Sequence, residues 1–213
     1  MERFILLILV FVGSFLAAVN CTPPSETWTC ETTTNYPQAV CEVPSCTFAI
    51  KSHIRNEYDA AFTYMYMASY FAQDTIDRPG LAKFLFEAAS EERGHAIQML
   101  DYLNLRGIKL DGLDYNFNSS WIPADLTYQT ALEKAINMEI TVTDLIYNVV
   151  TSCGIDYHAA DVFTNPILDE QHDGVRKLQG AYRTYLDMKT GQGASGMAFA
   201  EYVFDRKLLS GEI

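Results

Sequence analysis

Apolar residues recur at three- and four-residue steps through most of this chain. From about Thr47 to Asp77, the residues Ile50, Ile54, Tyr58, Ala61 and Tyr64–Met65 fall on one helical face. Arg78-Pro79-Gly80 breaks that run. A second helix is predicted from about Leu81 to Arg106, with Gly107 as its C-cap and Arg106 against the negative end of the helix dipole. A third spans about Ala124 to Thr151, with Asp125 and Thr127 as candidate caps, and Cys153-Gly154 ends it. A fourth runs from about Tyr157 to Lys189. Asn165-Pro166 falls inside it, and a proline there removes a backbone donor and crowds the preceding turn, so a kink is expected. Gly191 to Gly196 reads as a hinge before a short last helix, about Met197 to Leu209.

The stretch from Ile108 to Pro123 mixes turn residues with Leu110, Leu113, Tyr115 and Phe117. A loop this long is unusual in a compact domain, and a crossover along the full length of a helical bundle accounts for it. The expected fold is therefore all-α: a four-helix bundle with one long crossover and a short fifth helix, over residues 47–213. Two short connections and one crossover make the second and third helices parallel. The start of helix one and the end of helix three then share an end of the bundle. Cys46 and Cys153 stand at those two points and can approach to the about 6 Å that a disulfide needs between Cα atoms.

Composition adds location and charge. At 213 residues, with a 49% hydrophobic share, the chain can bury one good core. A formal net charge of −12 argues against nucleic acid, whose phosphates it repels, and suits cations. An apolar run from Phe4 to about Val19, with Ala17 and Ala18 near its end, reads as a secretory signal peptide over residues 1–20. It is shorter than a typical span of about 20 residues, and no second apolar run follows, so no membrane span is expected once it is removed. The expected location is extracellular, or the lumen of the endoplasmic reticulum, Golgi or vesicles. Cys21, Cys30, Cys41 and Cys46 crowd an arm over residues 21–46 that shows no periodicity and reads as irregular and cross-linked; Cys153 stands apart. In a secreted chain these are disulfide cysteines, and the odd count leaves one for a bond to another chain. Sequons occur at Asn20 and, in a polar loop, at Asn118, the candidate glycosylation site.

The chemistry sits on the helices. Glu57 and Tyr64 are two turns apart on helix one. Glu92 and His95 form a Glu-x-x-His on one face of helix two, Glu139 lies among apolar residues on helix three, and Gln171 supplies an amide from helix four. Any one of these is ordinary alone. Their recurrence on four helices is what a di-iron site needs, and oxygen-rich ligation with one histidine suits iron better than zinc. Glu92 is the natural bridge between two ions. Glu57 and His95 would hold the first, and Glu139 the second. Gln171 would position a bound water or dioxygen, and Tyr64 would hydrogen-bond a ligand or carry an electron.

These residues carry a resemblance. Glu57-Tyr58-Asp59-Ala60-Ala61-Phe62-Thr63-Tyr64, Ala89-Ser90-Glu91-Glu92-Arg93-Gly94-His95-Ala96, Arg106-Gly107, Glu139, Leu168-Asp169-Glu170-Gln171 and Glu201-Tyr202-Val203-Phe204-Asp205 together make the chain similar to ferritin. Specifically, it resembles the secreted heavy-chain-type subunit of insects and other arthropods, over about residues 46–209. The resemblance implies a 24-subunit hollow shell in which iron(II) is oxidised by dioxygen at an intrasubunit di-iron site and iron(III) passes inward to a ferric oxide mineral. The ferroxidase residues it implies are Glu57, Tyr64, Glu92, His95, Glu139 and Gln171, with none replaced. It also implies a light-chain-type partner subunit, disulfide-linked to this one. Cys21, Cys30 and Cys41 would then supply a second internal bond and the interchain bond, in an order left open.

The chain departs from the family pattern in places. Of the two acids expected at the three-fold iron channels, Asp161 matches one and Thr164 replaces the other, so the channel is less negative. Glu91 remains near the catalytic motif, but Gly94 and Ile97 stand where acids often nucleate mineral, which shifts nucleation to the partner subunit. Pro166 and His172 alter helix four. The alternatives to a ferroxidase subunit are a catalytically slow structural subunit of the same shell, a di-iron oxygenase, and a signalling protein on the same scaffold.

Overall fold

The computed structural model describes residues 27–31, 40–122 and 124–212. The signal-peptide segment, Cys21 and most of the N-terminal arm lie outside the described residues. The part of the arm that is described differs from the expected irregular chain. Strands β1 (Thr29–Glu31) and β2 (Val40–Glu42) form a small antiparallel ladder in which Cys30 pairs with Cys41. Cys41 is disulfide-bonded. Three-residue strands built from Thr, Cys, Val and Glu carry too little alternation to stand out from a loop in sequence.

Helix α1 (Pro44–Phe71) starts earlier than its apolar period suggests, because Pro44 at its first turn needs no donor there. Helix α2 (Pro79–Leu105) begins in the same way and ends as expected, with Gly107 at φ 67° and the Ile108 N–H closing on Leu103 O at 2.9 Å. Helix α3 (Tyr128–Cys153) is opened by Thr127, not Asp125: the Thr127 hydroxyl accepts from the Thr130 N–H at 3.1 Å, and Thr130 Oγ1 accepts from the Thr127 N–H at 2.8 Å. The fourth helix is interrupted where Pro166 demands it. Helix α4 (Tyr157–Val162) runs into a wide, irregular turn over Phe163–Leu168, with Asn165 extended, before α5 (Asp169–Lys189) resumes. Helix α6 (Ala194–Ser210) closes the described chain.

Helix α1 packs on α2 and α3, α3 on α5, and α6 lies across α2 and α5. The core between them includes Ile50, Ile54, Met67, Leu81, Leu85, Met99, Leu103, Leu132, Ile146 and Phe163. Residues 108–122 cross over as expected, with a single 3-10 turn at Ser119–Trp121. Side chains of α1 pin this crossover: Lys51 Nζ donates to Asp111 O at 2.9 Å, Arg55 pairs with Asp114, and Asp59 Oδ1 accepts from the Asn118 N–H at 2.8 Å. The hydrophobic loop residues meet α1 rings, Phe117 against Phe62 edge-on at 5.5 Å and Tyr115 near Tyr58 at 6.4 Å.

Two long-range ties fix the ends of the bundle. Cys46 and Cys153 form a disulfide with Cα atoms 4.2 Å apart, which sets α1 and α3 antiparallel, and Ser45 Oγ donates to Ser152 O beside it. At the other end, α2 starts without a capping side chain of its own. The buried carboxylate of Asp205 on α6 does the capping, accepting from the Gly80 N–H at 3.0 Å and the Leu81 N–H at 2.9 Å. Gly80 is needed for that approach, since a Cβ there would sit 1.9 Å from the Asp205 carbonyl oxygen.

Candidate metal centre

Helix α1 places His53, Glu57 and Tyr64 on one inward stripe at steps of four and seven, and α2 places Glu92 and His95 opposite. One donor atom each from Glu57, Glu92 and His95 lies within 4.8 Å of the others. His95 Nδ1 lies 3.8 Å from Glu57 Oε2 and 3.8 Å from Glu92 Oε2. Glu139 joins from α3, where its Oε1 accepts a short hydrogen bond from the Tyr64 hydroxyl. Gln171 on α5 is buried and reaches the group through Thr143: the Thr143 hydroxyl lies 3.3 Å from Gln171 Oε1 and 2.7 Å from the Glu139 carbonyl. All six residues expected from the sequence are thus buried, and five of them adjoin a single cluster.

The sequence reading missed two neighbours. Glu170, half exposed, puts Oε2 3.2 Å from His95 Nε2 and so fixes the outer edge of that ring. His53 is buried with its Nε2 2.9 Å from Glu57 Oε1. Its position one turn before Glu57 was the available signal.

Buried polar atoms are ordinarily hydrogen-bonded. Here both oxygens of Glu57, both ring nitrogens of His53, Glu92 Oε2 and His95 Nδ1 have no hydrogen-bond partner among the described residues. These unmatched atoms are acceptors and imidazole nitrogens drawn from four adjoining residues. A divalent cation matches such a set, and hard or borderline metals with oxygen and nitrogen preference fit it best.

Titration follows the same geometry. Burial alone would raise every carboxyl. For Glu57 the adjoining Glu92 carboxyl and the His53 and His95 imidazoles outweigh burial and hold it well below the usual carboxylate range. Glu92 goes the other way, pushed well up by burial and by the Glu57 charge. Glu139 is raised by burial, against the opposing hydrogen bond from Tyr64. Burial lowers His95, but Glu57 and Glu170 outweigh it and carry the imidazole up to about 9. At neutral pH the cation-free cluster therefore holds a proton on His95 and keeps Glu57 ionised, while Glu92 holds its proton to higher pH than an ordinary carboxyl.

Other expected features lie elsewhere. Asp161 and Thr164 are exposed, and the Thr164 hydroxyl turns back to the Ala160 carbonyl at 2.9 Å. Asn118 is half-buried, and its side-chain oxygen accepts from Ser120 Oγ at 2.7 Å. No helix among the described residues is long and apolar enough to cross a membrane.

Comparison with known proteins agrees with this geometry. A family model described as a ferritin-like domain matches residues 48–185. The chain is 36% identical over 167 residues to a ferritin heavy chain of Aedes aegypti, covering 76% of this chain and 77% of that one. It is 36% identical over 177 residues to a ferritin heavy chain of Papilio xuthus, covering 79% and 82%. Among solved structures it resembles the secreted ferritin of Trichoplusia ni, with a TM-score of 0.69 and 33% identity over 84% of this chain and 98% of that one. A bundle with one long crossover, a buried carboxylate–histidine cluster and these likenesses place the chain in the ferritin family.

Proposed function

We propose that this chain is a ferroxidase subunit of a secreted iron-storage shell. The observation that carries the reading is the cluster of buried, unmatched donor atoms on Glu57, Glu92 and His95, with Glu139 and Tyr64 adjoining. Iron(II) is the substrate. Glu57 and His95 hold one ion, Glu139 holds the other, and Glu92 lies between them as the bridge. Each iron(II) gives one electron to dioxygen. Tyr64 keeps Glu139 oriented through its hydroxyl, and Gln171, steadied by Thr143, faces the bound water or dioxygen. The apolar walls of the bundle keep bulk water from the reacting ions.

In this reading the subunits form a 24-subunit shell with a light-chain-type partner, joined through an N-terminal cysteine. The protein is exported by the segment over residues 1–20, and ferric oxide collects inside. The names of the relatives, heavy chains and a secreted ferritin, support the heavy-chain type and the export. Asp161 remains as the acidic group of the iron channel, and Thr164 makes that channel less attractive to cations than a pair of acids would.

The test is rapid mixing of anaerobic iron(II) with the purified mature protein, followed by air, beside a Glu92→Ala/His95→Ala variant of equal assembly. Fast early oxidation in the parent and its loss in the variant is the expected result. Equal slow rates in two assembled samples would leave a structural shell subunit instead.

A further inference from the structure

The reading above uses one oxygen of Glu57 and leaves His53 without a role. Glu57 offers its two oxygens to two different imidazoles: Oε2 faces His95 at 3.8 Å, and Oε1 faces His53 Nε2 at 2.9 Å. The His53 contact has the length of a hydrogen bond but not its direction. The ring N–H does not aim at the oxygen, and neither His53 nitrogen has a partner among the described residues. His53 is only 1% exposed and Glu57 0%, so bulk water does not reach either group. A poorly aligned hydrogen bond would account for one nitrogen and one oxygen at most. A cation seated against both atoms needs no aligned N–H.

The spacing is also compatible with a cation between the two atoms. Bonds of about 2.1 Å from a metal to an imidazole nitrogen and to a carboxylate oxygen, closing a 2.9 Å separation, subtend about 90° at the ion. That is the angle between neighbouring ligands of a six-coordinate ion. A tetrahedral ion would spread the same two atoms to about 3.4 Å. The one-turn His-x-x-x-Glu step on α1 makes the pair a chelate on a rigid helix.

We propose that His53 and Glu57 Oε1 form an additional metal position beside the main cluster. It takes a first-row divalent cation, iron(II) or cobalt(II), through one nitrogen and one carboxylate oxygen. Glu57 is then shared between this position and the Glu92–His95 cluster, so filling either one fixes the carboxylate for the other. This rests on the reading of the cluster as a metal centre.

Cobalt(II) is the probe, because air does not readily oxidise it in such ligation and its anomalous scattering locates it. Crystals of the assembled protein soaked in cobalt(II) should show a peak at bonding distance from His53 Nε2, besides the peaks near Glu92 and His95. In His53→Gln that peak should vanish while the others stay, and equilibrium dialysis should count one cobalt fewer per subunit. In Glu92→Ala/His95→Ala the His53 peak should persist. Peaks near Glu92 and His95 with none at His53 would overturn the inference and leave the metal centre standing. No peak at either place in the parent would overturn both. Should His53→Gln not assemble, the parent map alone decides.

Discussion

Loading the centre with a divalent cation at neutral pH should expel about one proton per subunit from His95, and more to the extent that Glu92 is protonated. In the cation-free protein, burial and the Glu57 charge push Glu92 well above the usual carboxylate range. His95 is carried up to about 9. Two pH units below that value, about 99% of His95 is protonated. Ligation needs an unprotonated nitrogen and ionised carboxylates, so His95 gives up a proton, and Glu92 gives up any that its raised pKa retains. Apparent affinity should then rise at least about 10-fold per pH unit near neutrality, or about 1.4 kcal/mol per unit, and the slope should fall above pH 9 once His95 is already neutral. Folding of the empty protein has the opposite sign. A raised His95 contributes stability that is full below its unfolded value near 6.5 and is lost as pH climbs through about 9, roughly 3 kcal/mol in all. Raised Glu92 acts in the same direction. Calorimetric titration with cobalt(II), in buffers of equal pH and different ionisation enthalpy, counts the protons directly. Glu92→Gln should lower the count below that of the parent. Release of less than one proton by the parent, or an unchanged count in Glu92→Gln, would refute the proton-sharing scheme.

Other outcomes follow from the same coordinates. Cys46→Ser with Cys153→Ser opens a loop with a sequence separation of 107; the chain-entropy estimate for that loop is about 5 kcal/mol, readable as a lower urea midpoint without reductant. Gly80→Ala drives a Cβ to within 1.9 Å of the Asp205 carbonyl, and should cost about 1–3 kcal/mol and expose α6 to protease; an unchanged melting temperature with an intact α6 would contradict that packing. Tyr64→Phe removes the donor to the buried Glu139 carboxylate and should cost about 1–3 kcal/mol in the cation-free protein, measured by chemical denaturation.

What the sequence makes legible depends on range. Helices α1, α2, α3 and α6 repeat their apolar faces over many turns, so local period finds them, and Pro166 announces its own interruption. The Cys46–Cys153 bond is legible because connection lengths fix which helix ends meet. Glu92 and His95 are legible because i and i+3 share a face. The β1–β2 ladder is too short for a period. His53 carries the right step from Glu57, but only the absence of any other partner among the described residues singles it out. Which of Glu57 and Glu92 keeps the proton depends on burial and on which imidazoles face each acid, and no spacing rule contains that.

The Asp205 cap sets an order of events. A chain is made from its N-terminal side, so Glu57, Glu92, Glu139 and Gln171 all leave the ribosome before Asp205 does. Until then the Gly80 and Leu81 N–H groups, at the head of the helix bearing Glu92 and His95, lack their carboxylate. A chain interrupted between residues 190 and 200 would own every proposed ligand and still lack the clasp on α2. The clasp on the helix that bears Glu92 and His95 is thus closed last, by a residue that touches neither of them.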